Sequence, residues 1–227
     1  YEQRMGCDTD AKQDLKEEML ACYRRALDVW TREASPDAWA QTQDRMGRAY
    51  EQVVDGDRAA NVEKAVACYQ RALDVWTLGA ASLQWARTQV RLAHAYKKLV
   101  GDDEVANEAK MEQMKACFRC ALEVWTRESA PTSWAETLFS MGEACMWWAH
   151  GDKAANMAEA VACYRCVLEV WSREAAPMKW AMAQLNMAYA LRRRASSDAA
   201  ADMEEALVCY QHALEVVTRE YDAHEWA

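Results

Sequence analysis

Five near-copies of one twenty-residue stretch recur along the chain, and their spacing limits the fold more than any single motif. The copies are ACYRRALDVWTREASPDAWA at 21–40, ACYQRALDVWTLGAASLQWA at 67–86, ACFRCALEVWTRESAPTSWA at 116–135, ACYRCVLEVWSREAAPMKWA at 162–181 and VCYQHALEVVTREYDAHEWA at 208–227. Their shared cysteines, Cys22, Cys68, Cys117, Cys163 and Cys209, follow one another at steps of 46, 49, 46 and 46 residues. A fixed period in this range is the mark of stacked repeats, in which one unit cannot bury its own apolar face and must lean on its neighbours. The 227 residues are therefore expected to form one architectural domain, 1–227, of about five units sharing an elongated core.

Composition decides the kind of unit. Seven Gly and three Pro are too few for a sheet protein rich in turns, while Ala, Leu, Met, Glu, Gln, Lys and Arg, the strong helix formers, abound; the fold class expected is all-α. Nine cysteines make an odd count, and five of them occupy one repeat slot, so they are expected to be reduced, buried small side chains of a cytoplasmic, intracellular protein. No apolar run is long enough to cross a bilayer, so no membrane partner is expected. A formal charge of −9 argues against nucleic acid, whose binding is driven by clustered Lys and Arg.

Within one repeat, "GD" and "AAN" at 55–61 and 151–156 separate two helical patterns. Ala65, Tyr69, Ala72, Leu73 and Trp76 fall on one face of a helix with 3.6 residues per turn, as do Trp39, Met46, Tyr50 and Val53 on the helix before it. Gly47 and Ala72 are small where two helices must approach closely. Pro36, Pro131 and Pro177 suit the first turn of a helix, where a missing N–H is no loss. The pattern predicts first helices of each hairpin (helices A) at 36–54, 82–99, 131–149 and 177–195, and second helices (helices B) at 11–33, 59–78, 106–128, 155–174 and 200–220.

Met46-Gly47-x-Ala49-Tyr50 on helix A, followed by Ala65-x3-Tyr69-x2-Ala72 on helix B, resembles the tetratricopeptide repeat. The likeness spans 11–227. The period exceeds the 34 residues of the standard repeat, because both connections are lengthened, and in this the chain is similar to kinesin light chain repeats and to arrays in NB-ARC and caspase-like multidomain proteins. Copies also depart from the pattern: Ala93 and Ala188 replace the Gly, Cys145 and Leu191 the Tyr, and Val167 the Ala of helix B. The resemblance implies a right-handed α-solenoid, a superhelix of antiparallel hairpins, with helices A lining a concave groove that binds protein. "YEQRMG" at the start resembles "YEQVVDG" at 50–56, and "HEWA" at the end resembles the opening of another helix A. Both suggest a fragment of a longer array.

Chemistry-bearing residues give little sign of catalysis. The tryptophan pairs Trp30/Trp39, Trp76/Trp85, Trp125/Trp134 and Trp171/Trp180 recur at every junction, which fits packing between repeats better than an aromatic cage. Val217 takes the first Trp slot in the last copy, and a looser junction is expected there. Cys117-x2-Cys120 and Cys163-x2-Cys166, with His212 in the next repeat, hold metal-ligand residue types. They sit mid-helix on helices about 8–10 Å apart, too far for four ligands to converge. No cysteine has a placed His and orienting acid, and no G-x4-G-K-[ST] exists. No enzyme activity, cofactor or metal is expected.

The helix A slots where the copies disagree carry the binding expectation. The first two units hold Gln41, Asp44, Arg45, Arg48, then Arg87, Arg91, His94, Lys97 and Lys98; the third Glu136, Phe139, Glu143, Met146 and Trp147; the fourth Met182, Leu185, Asn186, Tyr189, Arg192 and Arg193. Trp147 and Trp148 lie outside the recurring pair, and one of them is expected to reach the groove. The site expected for a partner is therefore Arg45, Arg48, Arg87, Arg91, His94, Lys98, Phe139, Glu143, Trp147, Asn186, Tyr189 and Arg193. Its ligand would be a protein, peptide or helix, acidic with an apolar anchor. Arg87 and Arg91 match the end of the chaperone-tail carboxylate clamp, but Asp44 and Arg48 do not supply its Lys and Asn, so chaperone tails are not expected. A structural spacer or self-association module of a larger signalling or immune-type receptor ATPase is the alternative. The partner's identity, the oligomeric state and the face used stay open.

Overall fold

The computed structural model describes the backbone of residues 2–53, 57–101, 104–147, 152–194 and 198–225, and the side chains of 15–53, 57–101, 106–147, 152–194 and 198–218. Among them are nine α-helices and no strand: α1 (Glu2–Val29), α2 (Pro36–Gln52), α3 (Arg58–Leu73), α4 (Ser82–Lys98), α5 (Glu104–Val124), α6 (Pro131–Trp147), α7 (Lys153–Leu168), α8 (Pro177–Arg193) and α9 (Ala199–Glu225). From α1 to α5 and again from α6 to α9 each helix packs on the next in sequence, and the fold is an all-α helical-repeat array of the α-solenoid class. The chain divides into two compact units, Tyr1–Val124 with α1–α5 and Trp125–Ala227 with α6–α9.

The helices A, α2, α4, α6 and α8, start where expected; α4 stops one residue short of the expected 99, and the expected ends of the other three, 54, 149 and 195, lie outside the described residues. Between helices A and B, Asp57 and Asp152 act as N-caps, accepting from the N–H groups of Ala59 and Ala60 and of Ala155. A carboxylate there satisfies amide groups that the first helical turn leaves without partners.

The helices B differ more from expectation. Those drawn over 59–78 and 155–174 end at Leu73 and Leu168. The hydroxyl residue after each tryptophan explains the early stop. Thr77 Oγ1 accepts from the Ala80 N–H and its carbonyl from the Ala81 N–H, and Thr31 and Ser172 form the same turn with Ala34 and Ser35, and with Ala175 and Ala176. Thr126 repeats it with Ser129 and Ala130. Such hydroxyls offer the backbone an alternative to the helical ladder. In the last copy Thr218 instead bonds back to the Leu214 carbonyl, and α9 runs on to Glu225, past the expected end at 220. At the other end α1 is continuous from Glu2, nine residues before the expected start at 11.

Packing follows the small residues. A Cβ built on Gly47 would lie 2.7 Å from the Tyr69 ring, and one on Gly142 2.9 Å from the Tyr164 ring. Both rings are fully buried. Cys68, Cys117, Cys163 and Cys209 are buried as expected of the shared slot, whereas Cys22 is exposed. Cys163 packs by its Cβ against the preceding helix A at Gly142. Among the described residues no helix is long and apolar enough to cross a membrane.

Candidate functional site

Trp76, Trp125 and Trp171 are buried, while their partners Trp39, Trp85, Trp134 and Trp180 are half-buried. Trp76 closes a cluster with Ala40 and Ala72 against which Trp39 and Trp85 pack, and its Nε1 donates to Asp37 Oδ1 at 2.7 Å. Trp171 lies on Phe139 with ring centres 5.2 Å apart. Trp76 and Trp171 thus each tie the turn after a helix B to the helix A before it. At the first junction Trp30 is 44% exposed, and Val217, in the Trp slot of α9, is 42% exposed.

In the first unit the basic run divides by electrostatic environment. Arg91 pairs with the buried Asp44 at 2.6 Å, and Asp44 also accepts from the Thr88 hydroxyl at 3.1 Å. Lys98 pairs with Glu51 at 2.8 Å, and Glu51 also receives the Tyr69 hydroxyl at 2.5 Å. His94 is half-buried with its ring edge-on to Phe118, and burial, helped by Lys97 and Lys98, lowers its pKa. Arg87 is exposed. Arg45 and Arg48 are exposed without an ion pair among the described residues, and they line a hollow of about 400 Å³ with Met19, Tyr23, Ala49 and Gln52.

The second unit gathers four of the expected residues into one place. Glu143 and Trp147 from α6, and Asn186 and Tyr189 from α8, line a hollow of about 380 Å³ together with Met146, Leu185 and Tyr210. Trp147 is 75% exposed. Arg193 holds its guanidinium 5.2 Å above the Tyr189 ring and donates to its hydroxyl, which places a cation at the rim. Trp148 lies outside the described residues. Phe139 is not in the hollow: it packs against Tyr164 and Trp171 at the inner side of α6. Its slot corresponds to Asp44 of α2, so the same position holds an ion pair in one unit and an aromatic stack in the other.

Met19, Tyr23 and Tyr210 come from helices B, which a search confined to helix A slots passes over. Tyr210 takes the place that the fully buried Tyr69 and Tyr164 hold in earlier hairpins, yet it is only half-buried and lines the hollow.

The metal-ligand residue types do not assemble: no group of three or more His, Cys, Asp or Glu that could hold a metal occurs among the described residues. His212 lies against Trp180, with ring centres 5.7 Å apart. Burial pushes the thiols of Cys68 and Cys209 up to about 11 and that of Cys117 up to about 12. Cys120 and Cys166 are shifted in the same direction, also mainly by burial. Such thiols stay protonated at neutral pH and are poor nucleophiles.

No family model matches the chain, and a search of curated proteins finds no match. Among solved structures the chain is similar to BtubC (BKLC) from P. vanneervenii, at 18% identity and a TM-score of 0.65, over 94% of this chain and 78% of that one. That likeness is one of fold: the chain is built as a helical repeat array, as that protein is.

Proposed function

We propose that this chain is a tetratricopeptide-type array of the long-period kind and that it works as a protein-interaction scaffold without catalytic activity. The repeat type is supported by close approach at the pattern's small positions, where Gly47 meets Tyr69 and Gly142 meets Tyr164. The binding role rests on one observation above all, the hollow of Met146, Trp147, Leu185, Tyr189 and Tyr210. Its helix A residues occupy slots at which the copies differ, so they are not part of the shared packing. An exposed Trp beside Tyr and Leu is a strong anchor for a partner's apolar side chain. Arg193 at the rim favours acidic groups on the ligand.

The experiment is a selection of displayed peptides on the full chain, followed by affinity measurement of the enriched sequences. Peptides with an apolar anchor and acidic neighbours should emerge. Trp147→Ala should weaken them at least tenfold, by analogy with aromatic hot spots. Enrichment of peptides whose affinity is indifferent to both Trp147→Ala and Tyr189→Ala would overturn the assignment.

A further inference from the structure

The first unit has a second hollow, of about 340 Å³, lined by α1, the C-terminal end of α2 and the start of α3. Three successive helices supply its walls. Leu20 and Val53 make it partly apolar, and Tyr50, itself buried, lies within it.

Two cations meet at that tyrosine. Arg24 from α1 donates to the Tyr50 hydroxyl at 3.3 Å, and Lys64 from α3 stands 5.7 Å from the centre of the same ring. Lys64 also donates to Oδ1 of the buried Asn61 at 3.5 Å. Neither cation has an ion pair among the described residues, and the Tyr50 hydroxyl, which accepts from Arg24, has no acceptor there for its own proton. Two carboxylates line the same hollow, and both are engaged. Asp57 accepts from the Ala59 and Ala60 N–H groups at the positive end of α3, and Glu17 has a partner of its own.

The corresponding positions in other repeats show what is missing. Counted from the shared cysteines, Arg24 and Lys64 match Gln70 and Gln113 of α3 and α5, and Arg165 and Glu205 of α7 and α9. Arg165 donates to both oxygens of Glu205, at 2.9 and 2.7 Å, and Gln70 donates to Tyr96, the counterpart of Tyr50, at 3.0 Å. Lys64 stands where Glu205 answers the arginine, so two like charges share one hollow. Their repulsion is relieved by an anion between them.

We infer that this hollow binds a phosphate monoester. Its three terminal oxygens meet the three donors, Arg24, Lys64 and the Tyr50 hydroxyl, and its charge of about −1.5 to −2 at neutral pH matches the two cations. A carboxylate brings one charge and two oxygens. Leu20 and Val53 leave an apolar margin for the organic part, which a small metabolite or a phosphorylated side chain would carry.

The test is calorimetric titration of the full chain at physiological salt, where distant charges are screened. Glycerol phosphate represents the small-molecule source and acetyl-phosphoserine-amide the side chain; the tighter of the two identifies the source. At least one should saturate at one site per chain. Acetyl-glutamate-amide should bind about tenfold more weakly than that phosphate, the loss of one charge-assisted hydrogen bond. Lys64→Glu, which sets the acid of the last repeat beside Arg24, should abolish phosphate binding. Arg48→Glu makes the same charge change in a different hollow and should leave it unchanged. Both substituted side chains are exposed, so the variants keep their fold, as circular dichroism would verify. No saturable binding by either phosphate, a carboxylate bound as tightly, or equal losses in the two variants overturns the inference.

Discussion

Trp76 reaches back from the turn after α3 and donates its indole N–H to Asp37 in the first turn of α2, at 2.7 Å. The bond spans 39 residues of sequence. It joins the end of one hairpin to its beginning, and the buried indole fills the corner left where α3 stops. Replacing Trp76 with Ala should cost about 3–5 kcal/mol by the cavity it leaves. Asp37→Ala should cost about 1 kcal/mol, the size of one hydrogen bond. Urea unfolding of the two variants checks the ranking, and an Asp37 variant as damaged as the Trp76 variant would contradict it.

Arg91 and Arg48 both occupy helix A slots, yet they should behave differently. Arg91→Ala leaves the carboxylate of Asp44, whose side chain is 7% exposed, without its cation. The loss should approach about 3 kcal/mol, the lower figure for breaking a buried pair, since Arg91 itself is partly solvated. Arg48→Ala should change stability by no more than about 0.5 kcal/mol, as surface substitutions do. It should instead weaken acidic peptides selected on the chain and flatten their salt dependence. Denaturation and binding curves on the same two variants separate the roles.

How much of this was legible beforehand follows from what repeats can and cannot convey. The hairpins, their helix A starts and the close contact at Gly47 were readable, because periodicity and small residues report packing that every copy shares. The helix B ends were not, since Ala72-Leu73-Asp74-Val75-Trp76 continues a helical stripe in sequence while the Thr77 hydroxyl, a local competitor, ends the helix. The basic run was visible as charge, but its division was hidden: Asp44 and Glu51 neutralise Arg91 and Lys98 from the neighbouring helix A, at 47 residues' separation. Tyr210 was missed because it belongs to a helix B, outside the helix A slots at which the copies differ.

Gly47→Ala would set a methyl against a buried ring rather than the flexible end of a side chain. The expected cost is about 1–3 kcal/mol, in the range of overpacked cores. Urea unfolding of Gly47→Ala checks it, and a midpoint equal to that of the native chain would show that the ring gives way at no cost.

His94 makes stability depend on pH. Its folded pKa lies below the ordinary 6.5, with burial the leading cause. The unfolded chain therefore binds the proton more readily, so this contribution is full above about pH 6.5 and is lost as pH falls through the lower folded value. The difference in urea midpoint between the native chain and His94→Gln should shrink from pH 8 to pH 5. A constant difference would place the imidazole in a solvent-like environment.

The central claim is that the hollow of α6 and α8 receives the partner. Hydrogen–deuterium exchange of the full chain, with and without a peptide selected on it, tests this most directly. Added protection should concentrate in the C-terminal halves of α6 and α8, around Trp147 and Tyr189, and vanish with Trp147→Ala. Protection confined to other helices, or its persistence in the Trp147 variant, would contradict the account.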